Sequence, residues 1–538
     1  MKTYAAVMDR PVRASSTRDD DDEQGRVCYN YEAIGPVSTK DSIRPEDPRF
    51  SVDLDSEHHV LLDQHLKEFR QNNRNRTWLV IMGALGVVLF FYLAIAGVKH
   101  VKAQCDGVDG FTCEPEISRF WGQSSPYYSV PSEIATEVPP QCSITFVQML
   151  SRHGARDPVR SKTKRFQELI SRIHKNTISY DGSYAFIEDY TYTLGTEQLT
   201  DFGRNQMVNS GAKFYNRYKA LTRSHTPFVR IAGHDRVIES ANKWAEGFHS
   251  ARLEDAGSTL KETLPFNTVI ISEEPGMNNS LRHGLCTNFE RDTKYISREA
   301  QKQWRNVFAP PITARLNANL QNASLTDMDA TTMMDLCAFE TIASDTGVLH
   351  PFCHLFTPAE WKSYDYLQSL GKYYAYSLGN PLAPTQGVGF TNELIARLTN
   401  SAVTDRTSTN STLVDSDATF PLGSILYADF THDNDVITIL TAIGLFNSTT
   451  PMRNDTSEAV DGSDEFRISR VSPFSGRAYF EKMKCAGAEE EMVRIVLNDR
   501  VMPLDTCGGD ELGRCSLSAF VNSLTFAKAG GKWDECFT

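Results

Sequence analysis

Three apolar runs along the chain each lead into a short polar segment. They occupy residues 143–150, 228–232 and 422–430. Near-continuous apolar strands of this kind are typical of a parallel sheet that helices cover on both faces. Residues 436–446 follow the third run, with a spacing that fits a buried helix. The pattern therefore predicts an α/β domain with polar segments at the carboxyl ends of its strands.

A longer apolar stretch, residues 78–98, contains 21 residues and no charge. At about 1.5 Å per residue, a helix of this length crosses a hydrocarbon core of roughly 30 Å. A cleaved signal peptide is a poor alternative, because it would lie within about the first 30 residues. A buried core helix of this length would contain polar positions. We therefore predict a transmembrane helix that acts as a signal-anchor.

The flanking residues predict how this helix is oriented. Basic residues are more numerous before the span than after it: Lys67, Arg70, Arg74 and Arg76, then Lys99 and Lys102. This bias favours a cytoplasmic N-terminus. Residues 1–77 carry an acidic run at 19–23 and no sustained apolar periodicity, which predicts a disordered cytoplasmic tail.

The 11 cysteines divide unevenly about the span. Cys28 alone precedes it, and ten follow it: Cys105, Cys113, Cys142, Cys286, Cys337, Cys353, Cys485, Cys507, Cys515 and Cys536. An even set indicates an oxidising lumen or cell exterior, whereas a lone thiol fits a reducing cytosol. N-glycosylation sequons lie on the same side, at Asn278, Asn322, Asn410, Asn447 and Asn454. We therefore predict a single-pass type II membrane protein of the secretory pathway, with its C-terminal bulk extracellular or lumenal.

The charge of the chain limits the classes of ligand. With 55 basic and 68 acidic residues, the net charge is -13, which argues against a protein that coats nucleic acid. Residues 1–77 hold 12 basic and 15 acidic residues, so the remainder carries -10 of that charge. The sequence has no zinc-binding spacing and no phosphate-cradling GxxxxGK loop. An anionic ligand therefore requires a local basic cluster.

The polar segment after the first run, SRHGARDP, is such a cluster. Arg152, His153 and Arg156 place two guanidinium groups near one imidazole, and guanidinium donors suit the oxygens of phosphate. The two cations also lower the imidazole pKa by repulsion, which keeps a lone pair available as a nucleophile. Gly154 allows a sharp turn and a close approach to a ligand. The alternative is a surface loop with incidental charges.

The other two polar segments supply complementary groups. His432 can hold an oxyanion, while Asp433 can protonate a leaving alkoxide. Arg236 follows Asp235 after the second run. Plainer interpretations are an N-cap by Asp433 or Asn434, and a surface ion pair between Asp235 and Arg236. Because ligands bind beyond the carboxyl ends of parallel strands, we expect the three segments to converge on one pocket.

These residues resemble a known family. Residues 152–158, RHGARDP, fit the RHGxRxP signature of histidine acid phosphatases, and residues 432–433 fit their distal HD motif. Further segments are similar to the phytases of filamentous fungi: 111–122 (FTCEPEISRFWG), 364–373 (YDYLQSLGKY), 380–398 (NPLAPTQGVGFTNELIARL), 426–434 and 498–504. The resemblance runs from about Cys105 to the C-terminus. Those fungal enzymes are usually secreted through a cleaved signal, so the predicted anchor departs from their pattern.

The resemblance implies a role for each motif residue. His153 is the expected nucleophile, which forms a phosphohistidine, and Asp433 is the expected proton donor to the leaving oxygen. The phosphate oxygens are expected to bind the remaining basic residues of the motifs: Arg152, Arg156, Arg236 and His432. The reaction is then phosphomonoester hydrolysis, and neither a metal nor another cofactor is implied.

The same resemblance implies the domain organisation. After an N-terminal arm at 99–130, residues 131–538 are expected to form a histidine acid phosphatase domain. Its large part is a mixed, mostly parallel sheet covered by helices on both faces, and a smaller, mainly helical domain is inserted at about 275–395. The ten cysteines are expected to pair as Cys105–Cys113, Cys142–Cys485, Cys286–Cys536, Cys337–Cys353 and Cys507–Cys515.

The expected substrate is phytate, inositol hexakisphosphate, cleaved at acid pH. Four basic residues are candidates for the rim that holds the phosphates not being cut: Lys162, Lys164, Arg165 and Lys372. The phytases compared have lysines where this chain has Ser183, Glu188 and Gly371. This loss of positive charge should weaken the hold on a highly charged substrate, which leaves a broad-specificity acid phosphatase for phosphate scavenging as an alternative. An alternative from another class is a non-catalytic surface receptor for inositol phosphates.

Overall fold

The structure is a computed structural model of the chain, and it describes residues 105–260, 266–456 and 466–537. The predicted tail at 1–77, the predicted transmembrane helix at 78–98 and residues 99–104 of the predicted arm lie outside these ranges. Ala103–Thr538 form one compact unit. Within the described ranges, no helix combines the length and the apolar character that a membrane span requires.

A mixed sheet forms the centre of the unit. The strands are β1 Cys142–Arg152, β2 Ser179–Tyr180, β3 Phe228–Ala232, β4 Thr268–Ile271, β5 Leu320–Gln321, β6 Leu426–Thr431, β7 Arg477–Cys485, β8 Met492–Leu497, β9 Arg500–Val501 and β10 Arg514–Ser516. The sheet order is β10-β8-β7-β1-β6-β3-β4, with β9 paired to β8, while β2 and β5 pair separately. Neighbours from β1 to β4 run parallel, and those from β1 to β10 run antiparallel. The predicted mixed α/β architecture is confirmed.

The three predicted strands are present, with corrected ends. The first extends beyond residue 150 to Arg152, which pairs with Thr431 of β6. The second occupies 228–232 as predicted. The third was predicted to start at 422, but it starts at Leu426, where pairing with β1 begins. Residues 422–425 bend instead, because Gly423 is a poor strand residue and the Tyr427 hydroxyl donates to the carbonyl of Pro421.

Long helices cover the sheet and fill the region of the predicted insert. They are α1 Arg160–Asn176, α2 Asp201–Arg217, α3 Asp235–Glu254, α4 Thr287–Asn319, α5 Asp327–Ala343, α6 Pro358–Tyr376, α7 Val388–Thr399 and α8 Asp433–Ile443. Shorter helices are Pro115–Ser118, Phe186–Asp189, Lys219–Thr222, Ala383–Gln386, Ser411–Val414, Ile468–Val471, Leu517–Ser523 and Thr525–Lys528. α8 confirms the buried helix predicted after the third apolar run, because all its residues from Asp435 to Ile443 are buried.

Disulfides link distant parts of the unit. The bonds are Cys105–Cys113, Cys142–Cys485, Cys286–Cys536, Cys337–Cys353 and Cys507–Cys515. These are the pairs that the family resemblance implies. The second joins β1 to β7 across 343 residues, and the third joins the start of α4 to the C-terminus across 250. Each long-range bond contributes about 2–5 kcal/mol by restricting the unfolded chain.

A buried ion network fixes the middle of the sheet. Asp429 of β6 accepts from Arg230 of β3 at 2.7 Å and from Arg397 of α7 at 3.0 Å. Arg230 also contacts Glu393 of α7 at 2.6 Å. All four side chains are at most 2% exposed. The network therefore ties two strands to a helix just below the point where β6 leads into His432.

Replacing Asp429 by Asn removes the carboxylate that pairs with Arg397 and one of the two carboxylates that pair with Arg230. We expect a loss of about 3–5 kcal/mol in the free energy of unfolding, measured by urea denaturation. Asp417→Asn, at an exposed position in the segment before β6, is the matched control and should change stability by less than about 0.5 kcal/mol. Equal, small effects of both variants would show that the network does not stabilise the sheet.

Candidate active site

The three polar segments meet at the carboxyl ends of β1, β6 and β3, which are neighbours in the sheet. The backbone N–H of His153 donates to the carbonyl of Thr431 at 3.0 Å. The His153 and His432 rings lie 5.6 Å apart, edge to face. Arg236, in the first turn of α3, reaches His432 with 3.4 Å between its Nη2 and the ring Nδ1. The structure thus brings the motif residues together at one place.

Two helices hold the loop that follows β1. Ser240 of α3 accepts from the N–H of Gly154, and Gln206 of α2 accepts from the N–H of Ala155. A Cβ on Gly203 would lie 1.9 Å from the carbonyl oxygen of Ala155, and a Cβ on Gly154 would lie 2.4 Å from that of Gly203. Gly154 is therefore required for close packing on α2. The φ of Gly154 lies outside the left-handed region, so it is the close packing, and not a left-handed backbone, that requires glycine here.

His153 is buried, and one ring nitrogen is already committed. Its Nδ1 lies 2.8 Å from the carbonyl oxygen of Gly154, which can only accept, so Nδ1 carries the proton. The lone pair is therefore on Nε2. Burial, followed by repulsion from Arg152, Arg236 and Arg156, holds the pKa of His153 well below its usual range. This imidazole therefore favours its unprotonated form below neutral pH, and so remains a potential nucleophile.

Arg152 is fixed in place by uncharged partners. Its Nη1 donates to the backbone carbonyls of Gln123 and Ser472, and its guanidinium lies 4.2 Å from the centre of the Phe474 ring. The side chain is 1% exposed. Burial is the main reason that its pKa falls to about 10, so the group is still a cation at neutral pH. The charge of Arg152 is thus only partly neutralised inside the protein.

Arg156 and Arg236 complete a cluster of three guanidinium groups. Arg156 donates to the carbonyl of Asp157 at 2.8 Å, and Arg236 donates to His234 Nε2 at 2.9 Å. Burial, and then repulsion from a neighbouring arginine, lowers the pKa of each to about 10. In all three arginines the Nε–H is buried and has no hydrogen-bond partner in the described part of the chain. The cluster is suited to a multiply charged oxyanion.

The plainer interpretations of the second and third segments are wrong. Arg236 contacts His234 and His432, and no ion pair with Asp235 is found in the described residues. The N-cap of α8 is His432, without a side-chain cap bond, and Asp433 is the first helical residue. Both segments thus direct charged groups to the shared site.

Asp433 is paired with cations from two other elements. Its Oδ2 lies 2.8 Å from Lys372 Nζ of α6 and 3.8 Å from Arg152 Nη2. Burial raises the pKa of Asp433, but Lys372 and then Arg152 lower it by more, so that it lies well below its usual range. Lys372 also donates to Asn434 Oδ1 at 2.6 Å. Without an anion in the site, Asp433 is a carboxylate.

Sequence reasoning missed two charged residues behind His432. Glu273 Oε1 lies 2.9 Å from His432 Nε2, and Arg282 Nε lies 3.3 Å from Glu273 Oε2. Glu273 follows β4, the fourth parallel strand, at the same edge of the sheet. The rule that found the other segments applies here too. The four residues of β4, however, make too short an apolar run to predict a strand from the sequence.

The candidates for the substrate rim differ in exposure and in their partners. Lys162 pairs with Asp335 at 2.7 Å, whereas Lys164 is 77% exposed and lies 3.9 Å from Glu168 of its own helix. Ser183 and Glu188 are exposed, as is Arg165. Lys162 and Lys372 are close enough to repel each other, and this repulsion contributes to the lowered pKa of Lys372 after the larger effect of burial. These two candidates therefore lie near one another.

A further cation on α4 was not predicted. Arg305 is partly buried, and burial followed by repulsion from Arg165 lowers its pKa, while Asp335 raises it. Gln301 occupies the space beside Gly371, since a Cβ there would lie 2.5 Å from the Gln301 amide. Helix α4 therefore contributes a side chain directly beside Gly371 of α6.

Residues 143–498 match the model of the histidine phosphatase superfamily, branch 2. The chain belongs to this superfamily. It is 50% identical over 439 residues to Phytase A of Aspergillus fumigatus, which covers 81% of this chain and 94% of the relative. It is 44% identical over 511 residues to Phytase A of Neurospora crassa, covering 85% of this chain and all of the relative.

Two solved structures share the fold. A phytase from D. castellii superposes with a TM-score of 0.64 at 24% identity, covering 78% of this chain and 87% of that one. A multiple inositol polyphosphate phosphatase from Bifidobacterium longum, in complex with inositol hexasulfate, gives a TM-score of 0.54 at 13% identity and covers 76% and 97%. At these identities the two superpositions show the fold alone.

Replacing Lys372 by Met removes the cation nearest to Asp433. We expect the pKa of the Asp433 carboxyl to rise, because the charge that favours its ionised form is gone. Carbon-13 NMR titration of that carboxyl, assigned with Asp433→Asn, measures the change. Lys362→Met, at an exposed position of the same helix, is the control. An unchanged pKa in Lys372→Met would contradict the described ion pair.

Proposed function

We propose that this protein hydrolyses phosphomonoesters, with phytate as the main substrate, through a phosphoryl group carried on His153. The observation that carries the proposal is a buried imidazole whose free Nε2 lone pair lies among three incompletely paired guanidinium groups. Fungal relatives that share 44–50% of their residues with this chain are phytases, which supports the substrate.

In the first step, Nε2 of His153 attacks the phosphorus atom, and the bond to the ester oxygen breaks. Arg152, Arg156 and Arg236 hold the phosphoryl oxygens and offset their charge, which is where most of the catalysis lies. Asp433 gives its proton to the leaving oxygen, so the product alcohol departs neutral. The products of this step are the alcohol and phosphohistidine, with Asp433 left as a carboxylate.

In the second step, water replaces His153 on phosphorus. Asp433, now ionised, accepts a proton from the attacking water. The N–P bond breaks, and the electron pair returns to Nε2. The Nδ1–H bond to the carbonyl of Gly154 holds the ring in the same tautomer at both stages. Inorganic phosphate leaves, and the site returns to its starting state.

The charges of the site require acid conditions for this cycle. His153 stays unprotonated in acid because its pKa is so low, so the nucleophile is not lost. Asp433 must be protonated, although Lys372 and Arg152 favour its carboxylate form in the free protein. A phosphate dianion offsets those cations and raises the pKa of Asp433 in the complex. Activity is therefore expected to fall as the pH rises through that pKa.

Preference for phytate depends on cations beyond the reacting phosphate. Lys162, Lys372 and Arg305 lie on the helices around the site, but the two lysines are paired with carboxylates. The uncharged residues at 183 and 371 favour the alternative, a broad acid phosphatase. A non-catalytic receptor for inositol phosphates is less well supported, because binding alone gives no reason for a carboxyl beside the leaving group.

We also propose a location and a domain division for the chain. The uncharged segment 78–98 anchors the protein as a type II membrane protein, with a phosphatase domain at 131–538 outside the cytosol and an insert at about 275–395. Five disulfides in the described residues support an oxidising compartment. The sequon side chains of Asn278, Asn322 and Asn447 are exposed and can be glycosylated, whereas Asn410 and Asn454 are partly covered.

The purified full chain should release phosphate from phytate and from a simple aryl phosphate, with the higher kcat/KM on phytate. His153→Ala should lower kcat on both by about 10³-fold or more, because it removes the nucleophile. His225→Ala, at an exposed histidine, is the matched control and should retain activity.

An inactive parent chain would remove the proposal that the protein is an enzyme. Activity with an equal or higher kcat/KM on the aryl phosphate would instead replace phytate by broad specificity. Full activity of His153→Ala would contradict the phosphohistidine route.

A further inference from the structure

His432 is held between an anion and a cation. Its Nε2 faces the Glu273 carboxylate, which can only accept a hydrogen bond, and its Nδ1 faces the Arg236 guanidinium, which can only donate. Nε2 therefore carries the proton, and Nδ1 presents its lone pair. In the free protein the ring is neutral and satisfied on both sides.

The Glu273 carboxylate is itself fixed. The side chains of Glu273 and His432 are 4% and 6% exposed. Arg282 binds Glu273 Oε2 at 3.3 Å, and its Nη1 lies 3.7 Å from Asp435 Oδ2 in the first turn of α8. This bracing keeps Glu273 against Nε2, so the Nε2–H bond need not break when the other side of the ring changes partner.

Charged and titratable groups face His432 from each element around it. They are His153 after β1, His234 and Arg236 at the start of α3, Glu273 and Arg282 after β4, and Asp433 of α8. Burial, and then the two arginines, holds the pKa of His432 well below its usual range. The two arginines thus disfavour a second proton on the free ring, and a bound anion would offset their charge.

A phosphate bound in this site, as the proposed function requires, changes the hydrogen-bond partner of Nδ1. The oxygens of the anion compete for the N–H groups of Arg236. The lone pair on Nδ1 then faces a negatively charged oxygen, and the two repel. A proton on Nδ1 converts this repulsion into a charge-assisted hydrogen bond, and the resulting imidazolium lies between two anions, the ligand and Glu273.

We propose that His432 takes up one proton when a tetrahedral dianion binds, and that Glu273, braced by Arg282, is the positioning residue that stabilises the imidazolium. The inference rests on the phosphate-binding role of the proposed function but adds a step to it. Binding of the anion tightens as the pH falls, independently of the proton that Asp433 delivers later. The acid dependence then has two sources, one in binding and one in the chemical step.

Inorganic sulfate is the probe that isolates the binding step. It is tetrahedral, remains a dianion throughout the range in which His432 would titrate, and carries no ester to hydrolyse. Calorimetry at about pH 5 in buffers of different ionisation enthalpy counts the protons taken up per sulfate bound. The Asp433→Asn variant is the reference protein for these measurements, so that Asp433 cannot contribute a proton to the count.

In Asp433→Asn we expect uptake of about one proton per sulfate. Adding Glu273→Gln, which keeps the shape and removes the charge, should bring uptake close to zero and weaken sulfate binding by about tenfold. Adding Glu274→Gln instead, at the exposed neighbouring residue, should leave both values unchanged. Uptake of about one proton that survives Glu273→Gln would overturn the inference.

Nitrogen-15 NMR of the His432 ring tests the same step without changing Glu273. The free chain should show the neutral Nε2–H tautomer, and the sulfate complex should show both nitrogens protonated. If the ring stays neutral in the complex, the inference about His432 is overturned, while the proposed phosphate-binding role stands. A chain that binds no sulfate at about pH 5 would overturn the phosphate-binding role as well, so the two failures are distinguishable.

Discussion

Positive charge packed around a buried imidazole is the constraint on which the site depends. Burial and the three arginines hold the pKa of His153 far below its usual range, which keeps its lone pair free. Burial, together with repulsion among the arginines, also lowers the pKa of each arginine. An entering phosphate relieves the repulsion among these groups. Affinity for the anion and availability of the nucleophile thus come from one arrangement.

The sheet makes this crowding possible. Adjacent parallel strands deliver their following residues to the same edge, so β1, β6 and β3 bring cations from distant parts of the chain within a few ångströms. The Asp429 network fixes β6 against β3 just below the site. The carboxylates that balance the charge, Asp433 and Glu273, come from the same edge. The protein can therefore be acidic overall, at -13, and still bind an anion.

The sequence predicted those site residues that directly follow long apolar runs, and it missed those that do not. Long apolar runs that end in RHG and HD motifs predicted the positions of His153 and His432 from the residues themselves. Glu273 and Arg282 were missed because β4 has only four residues, two of them exposed. Arg305 was missed because it is one cation among several on a long helix, and only packing shows which of them lies near Asp335, the partner of Lys162. The disulfide pairs followed from family resemblance, since ten cysteines permit many pairings.

Trapping the phosphoryl group during turnover is the most direct test of the role assigned to His153. Alkaline quenching of the reacting chain, followed by mass spectrometry and phosphorus-31 NMR of the labelled peptide, identifies the residue and the ring nitrogen. Because Nδ1 is committed to the carbonyl of Gly154, the phosphoryl group is predicted on Nε2 of His153. Phosphate on Nδ1, on another residue, or on no residue while turnover proceeds would contradict the account.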